Sequence, residues 1–180
     1  MTFIYEPAED SYLLASIIPK YAKNKSVLDV GAGSGILAET AQNAGAKSVL
    51  AVDINRESIK IIKKKKIKAI NSSLFEKVKD KFDIILCNPP YLPEDKREDK
   101  ESQRATTGGK RGDEFILKFL KQAIKHLNKK GTILILLSSL TPQKRIITLM
   151  KKQNIKYKII ASKKLFFEIL EVWEINHNNL

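Results

Sequence analysis

Cysteine is nearly absent: Cys87 is the only one among 180 residues. An intrachain disulfide and a cysteine-based metal site are therefore excluded. Histidine is almost as scarce, and His126 and His177 stand far apart without ligand-like neighbours, so no metal site is expected. No apolar run is long enough to cross a bilayer, and the N-terminus lacks a signal-peptide pattern. The expected setting is a reducing cytoplasm, away from membranes. Acidic residues are outnumbered, 33 Lys and Arg against 20 Asp and Glu, leaving a net charge of +13. Such an excess suits nucleic acid, a ribonucleoprotein or an acidic protein partner. A Lys- and Ile-rich composition from AT-rich coding or life at high temperature reads the same way. The lysines are spread along the chain rather than gathered into one motif.

What remains is an ordinary globular balance, 43% hydrophobic and 29% charged. Its length suits one domain over residues 1–180. The chain is organised around Phe82-Asp83-Ile84-Ile85-Leu86-Cys87-Asn88-Pro89-Pro90-Tyr91. An apolar, β-branched run predicts a buried strand, and Asn-Pro-Pro stops it. Pro89 and Pro90 lack N–H donors and disfavour the helical region for the residue before each, so the backbone after Asn88 is held extended with free carbonyls. Asn88 adds an amide oxygen and Tyr91 a flat ring. Two acceptors beside a ring suit a planar –NH2 group, such as a glutamine amide or the exocyclic amine of a base.

Pro7, with Glu6, Glu9 and Asp10 beside it, predicts a helix over 7–22. Ser26–Val30 reads as a first strand running into Gly31-Ala32-Gly33-Ser34-Gly35, with a helix from Ile36 to Asn43 after it. Val49–Val52 is a second strand ending at Asp53, Arg56–Lys66 a Lys-faced helix, Ile67–Ile70 a third strand and Phe82–Cys87 a fourth. Residues 92–112 form a long polar loop with Gly108, Gly109 and Gly112 near its end, as expected of a lid carrying Arg97, Arg104 and Arg111. A helix opening at Asp113-Glu114 is expected to reach Gly131, followed by a fifth strand over Thr132–Leu137 and a helix starting at Pro142. Tyr157–Ala161 and Phe166–Ile175 would close the chain as a hairpin across Ser162–Lys164. The expectation is an α/β fold: a seven-stranded, mostly parallel, doubly wound sheet with a C-terminal antiparallel hairpin.

Ligands of such sheets bind where parallel strands end in loops. Gly31, Gly33 and Gly35 fall as G-x-G-x-G, with Ile36 where a dinucleotide fingerprint wants its last glycine. That spacing argues against NAD and for S-adenosylmethionine, which has no pyrophosphate to seat. Asp53, at the end of the second strand, can accept hydrogen bonds from both ribose hydroxyls. Asp29 either attracts the cofactor's ammonium group or caps loop N–H groups.

The chain resembles the HemK (PrmC-like) family of S-adenosylmethionine-dependent methyltransferases. The likeness rests on Tyr5-Glu6-Pro7-Ala8-Glu9-Asp10-Ser11, Asp29-Val30-Gly31-Ala32-Gly33-Ser34-Gly35, Asp53, Asn88-Pro89-Pro90-Tyr91, and Gly108-Gly109 with Gly112. It is most similar to the short archaeal and eukaryotic branch, since it has no room for the helical domain that precedes the core in long bacterial relatives. The resemblance implies a class I, Rossmann-like methyltransferase fold. It also implies methyl transfer to the glutamine amide of the Gly-Gly-Gln motif in class I release factors. Asn88, Pro89 and Tyr91 would be catalytic, and would bind substrate with Gly108 and Gly109. Ser11 would touch the cofactor from the N-terminal helix, and Ser73 and Leu74 stand where the family places an acid facing adenine. A small zinc-binding activator would pair with the strand near Ile67–Ile70, whose neighbourhood holds more isoleucine than one helix stripe needs. Asn-Pro-Pro-Tyr is shared with adenine-N6 methyltransferases acting on DNA or RNA. A basic nucleic-acid-binding module without catalysis is the rival from another class; intact Asp53, Asn88 and glycines argue against it.

Overall fold

The computed structural model describes residues 4–94 and 106–177. Seven strands form one sheet in the order β3-β2-β1-β4-β5-β7-β6. They are β1 (Ser26–Val30), β2 (Ser48–Asp53), β3 (Lys68–Asn71), β4 (Phe82–Cys87), β5 (Leu127–Ser138), β6 (Ile155–Lys164) and β7 (Ile169–His177). β1 to β5 pair with one another in parallel, and β7 lies antiparallel between β5 and β6. Helices cover both faces, which is why the central strands read as continuous apolar runs. On one face α1 (Glu9–Ile17), α2 (Pro19–Ala22) and α3 (Ile36–Asn43) pack over Val27, Ile84, Leu86, Leu134 and Leu136. On the other, α5 (Glu114–Ala123) and α6 (Gln143–Lys152) bury Ile116, Phe119, Leu120, Ile146 and Met150 against Leu28, Ile85, Ile133 and Trp173.

α4 (Arg56–Lys64) shows how sequence becomes packing. Asn55 accepts the Glu57 N–H at 2.9 Å as its N-cap. Ile59 and Ile62 then face inward, while Lys60, Lys63 and Lys64 lie exposed. With Ile67, these isoleucines are buried against Ala51 and Ala69. The apparent surplus of isoleucine thus belongs mostly to this chain's own core, and only Ile61 and Ile70 remain half-buried.

Several boundaries differ from expectation. The helix expected over 7–22 is two pieces, because Pro19 has no N–H to continue the first. The helix expected to reach Gly131 ends at Ala123, one 3-10 turn follows, and β5 already starts at Leu127. The third strand is Lys68–Asn71, one residue later than expected. β6 runs through Lys164, and Phe166 and Phe167 form the hairpin tip, 92% and 84% exposed. The Leu165 N–H closes that turn on the Glu168 carbonyl at 2.8 Å. Of the expected lid over 92–112, residues 95–105 lie outside the described residues. The flanks are tied together: the Tyr91 and Leu92 N–H groups donate to the Thr106 carbonyl, and Gly108 N–H donates to the Leu92 carbonyl. No helix among the described residues is long and apolar enough to cross a membrane.

Candidate active site

The sheet order reverses between β1 and β4, so their C-terminal ends leave a crevice. Each parallel strand there delivers a loop: β1 the glycines, β2 Asp53, β3 the segment Ser72–Leu74, and β4 Asn88-Pro89-Pro90-Tyr91. A cavity of about 930 Å³ opens between them. Gly31, Gly33, Asp53, Ser73, Leu74, Ser11, Asn88, Pro89 and Tyr91 all line it.

The glycine loop works through its backbone. Gly31, Gly33 and Gly35 all have positive φ, a region that costs other residues energy. A Cβ on Gly31 would meet nothing within 4 Å, so a ligand has room to approach that backbone. Gly35 does not line the cavity; a Cβ there would sit 2.7 Å from Ile62 Cγ1, so its role is packing against α4. Asp53 accepts the Gly33 N–H and the Asn55 N–H, each at 2.7 Å, one on each oxygen. Every carboxylate oxygen has a second lone pair to offer. Burial pushes its carboxyl above the ordinary range, against the lowering effect of the backbone N–H groups of Asn55, Gly33 and Ile54.

Asp29 lies beneath this loop rather than on the cavity wall. Its Oδ2 accepts the Ala38 N–H at 3.0 Å, near the start of α3, and its Oδ1 has no partner. Burial raises its pKa to about 7, the Ala38 bond opposes that rise, and the Asp53 charge adds to it. The Ala38 bond goes to the first turn of α3 rather than to a loop N–H group. Cys87 is fully buried and its thiol is pushed up by that burial, so it is a core residue here.

Around Asn88 the polar groups form a chain. Asn88 Nδ2 donates to Ser11 Oγ at 3.2 Å. Ser11 Oγ and Ser11 N donate to Asp10 Oδ1 at 3.2 and 2.5 Å, and Tyr5 donates to Asp10 Oδ2 at 2.8 Å. Asn88 Oδ1 is buried without a partner. Tyr91 is half-buried, and burial, then the carboxylates of Glu168 and Asp10, hold its phenol proton well above the usual value. Gly108 and Gly109, expected at the substrate, do not line the cavity; Thr106 and Thr107 just before them do. Gly108 is instead a close-packing point, since a Cβ there would collide with the Gly112 carbonyl oxygen and fall 2.7 Å from that of Pro90. Tyr5, Asp10 and Glu168 escaped the sequence reading as site residues. The first two stood within a quoted motif, where Asp10 read as a helix-start acid; Glu168 sits in a hairpin turn that carries no signal.

A Rossmann-like sheet, a glycine loop under the cavity, a carboxylate at the end of β2 and Asn-Pro-Pro-Tyr at the end of β4 define a class I methyltransferase. The chain belongs to the family described as the methyltransferase small domain, whose model matches residues 8–171. Its cofactor is S-adenosyl-L-methionine, and the open approach to Gly31 and the Asp53 carboxylate in the cavity fit that group. Among similar proteins, one from Methanocaldococcus jannaschii carries the provisional name "protein N5-glutamine methyltransferase". It is 40% identical over 183 residues, covering 96% of this chain and 92% of that one. The release factor glutamine methyltransferase of Borreliella burgdorferi is 35% identical over 125 residues, 62% of this chain and 44% of that protein. The chain thus spans nearly all of the archaeal relative and less than half of the bacterial one. Among solved structures, the E. cuniculi Mtq2 complex, responsible for methylation of the eRF1 translation termination factor, aligns with a TM-score of 0.80. It is 21% identical and covers 97% of this chain and 99% of that chain, a likeness of fold.

Proposed function

We propose that this methyltransferase acts on the side-chain amide of the glutamine in the Gly-Gly-Gln motif of a class I release factor. The observation that carries the reading is the buried, unpartnered Oδ1 of Asn88, in a motif that also offers the Pro89 carbonyl. An orphaned buried acceptor costs roughly 1–3 kcal/mol, and an N–H donor from substrate removes that cost. An amide has two N–H groups for these two acceptors. The names of the archaeal and bacterial relatives support glutamine over adenine as the acceptor.

An amide nitrogen is a poor nucleophile because its lone pair is delocalised into the carbonyl. Asn88 Oδ1 and the Pro89 carbonyl, accepting both its N–H groups, raise its electron density and aim it across the cavity. Tyr91 packs on the amide plane. S-adenosylmethionine supplies a methyl group on a positively charged sulfur. The oriented amide nitrogen would take that methyl group as the sulfur is released as a neutral thioether, and its extra proton would leave to water afterwards. Positioning and fixed dipoles supply the acceleration, and no general base is needed. Gly31, Gly33 and Asp53 would hold the cofactor, with Ser73 and Leu74 at its adenine.

A small zinc-binding activator paired along β3 belongs to the same proposal. β3 is one of the two edge strands of the sheet, and Lys66 and Lys68 are exposed beside it, which suits an acidic partner. The zinc would be the partner's, and the excess positive charge leaves nucleic acid as an unrequired further contact. The test is transfer of labelled methyl from S-adenosylmethionine to a class I release factor. Label should appear on the native factor and vanish when its Gly-Gly-Gln glutamine is replaced by glutamate. Undiminished labelling of that variant overturns the assignment.

A further inference from the structure

Asn88 acts as an acceptor only if its amide is held one way round, because a half-turn about χ2 would present the –NH2 group instead. The chain from Tyr5 to Asn88 decides which way. A carboxylate has no proton to give, so Asp10 Oδ1 obliges the Ser11 hydroxyl to donate its single hydrogen towards it, at 3.2 Å. The lone pairs left on Ser11 Oγ then accept, and the atom they meet at 3.2 Å is Asn88 Nδ2. Asn88 Oδ1 is left at the far end as the one group in the chain without a partner. Asp10 is itself pinned from two sides, by the Tyr5 hydroxyl on Oδ2 and the Ser11 N–H on Oδ1. Asp10 and Ser11 are each only 4% exposed, so water does not compete for these groups.

We propose that Tyr5, Asp10 and Ser11 form a directional hydrogen-bond chain that locks the Asn88 amide with its oxygen towards the methyl acceptor. They are positioning residues: they act through Asn88, and Ser11 does so whether or not it also lies against the cofactor. The inference rests on the proposed role of Asn88 as the acceptor-binding amide. It gives the N-terminal segment a task in the reaction that a helix start alone does not have.

The experiment pairs steady-state kinetics with a structural readout that needs no substrate. Ser11→Ala leaves Asn88 Nδ2 without its acceptor, and its kcat should fall by about 100-fold. The KM for release factor should stay within about twofold, and kcat taken at saturating S-adenosylmethionine separates this loss from any change in cofactor affinity. Ser11→Thr keeps the hydroxyl and should restore most of kcat. Tyr5→Phe, which removes one of two holds on Asp10, should fall between the two. By NMR, one Asn88 side-chain amide proton, assigned by its absence in Asn88→Ala, should exchange slowly in the wild type and Ser11→Thr, and fast in Ser11→Ala. An unchanged kcat in Ser11→Ala, or a loss confined to cofactor affinity, overturns the chain. So does fast exchange of that proton in the wild type. Wild-type protein inactive on release factor, with the exchange pattern intact, would sink the assigned substrate and leave the chain standing.

Discussion

In the proposed mechanism the chemistry turns on Asn88, whose side chain was legible because Asn-Pro-Pro-Tyr ends a strand and leaves its Oδ1 unpaired. Replacing it with alanine should abolish methyl transfer while changing S-adenosylmethionine affinity only modestly, as calorimetry and a transfer assay would show together. Wild-type turnover in that variant would refute the mechanism. Asp29 makes a different prediction at the same scale. Its folded pKa is about 7, raised from 3.8 chiefly by burial. Between those values the native state holds a proton that the unfolded chain has released. Its contribution is therefore fully present below about pH 4 and lost as pH rises through 7. Asp29→Asn, which mimics the protonated form, should gain stability relative to wild type across that interval, by at most about 4 kcal/mol. Denaturant unfolding at several pH values measures it, and a difference independent of pH would contradict the assigned burial. Asp29 shows where sequence reading ran out. A carboxylate near a glycine loop has two readings, and only packing, which puts it beneath the loop, separates them.

Among the elements, the strands were the most readable, because burial on both faces leaves unbroken apolar runs whose ends carry turn residues. Their lengths were not. β5 runs on through Gly131, read as a helix stop, because β4 pairs with it as far back as Leu127. The Phe166–Phe167 pair looked like strand and is turn, since period-two apolarity is indifferent to where a hairpin folds back. The glycines divided in the same way. The loop after β1 was plain from spacing, but Gly108 and Gly109 owed their expected role to a resemblance, and they lie outside the cavity lining at close-packed positions. Gly108→Ala puts a Cβ against the Gly112 and Pro90 carbonyls. The backbone carrying Pro89 must then shift, and kcat should drop by about tenfold or more. Gly35→Ala combines a φ of +79° with a Cβ 2.7 Å from Ile62. It should destabilise the protein by about 1–2 kcal/mol, visible in thermal unfolding. Wild-type kcat in Gly108→Ala, or parental stability in Gly35→Ala, would show these close approaches to be relieved elsewhere.

For the whole molecule, topology was the surest inference, since alternating strands and helices leave few arrangements and the terminal hairpin settles the last pair of strands. The partner is implied by the family resemblance and was supported by two features of the chain, of which one has fallen away because Ile59, Ile62 and Ile67 are core. The open β3 edge with its lysines is the chain feature that still supports it. Co-expression with the activator should raise soluble yield and turnover, and a chain that is monomeric and equally active without it would remove the partner. The function turns on where the methyl group lands. The most direct measurement is mass spectrometry of a class I release factor after incubation with S-adenosylmethionine and either wild-type protein or Asn88→Ala, alongside the activator. A single methyl group is expected on the glutamine of Gly-Gly-Gln with wild type and none with Asn88→Ala. Methylation confined to another residue, or an equal yield from Asn88→Ala, would contradict it.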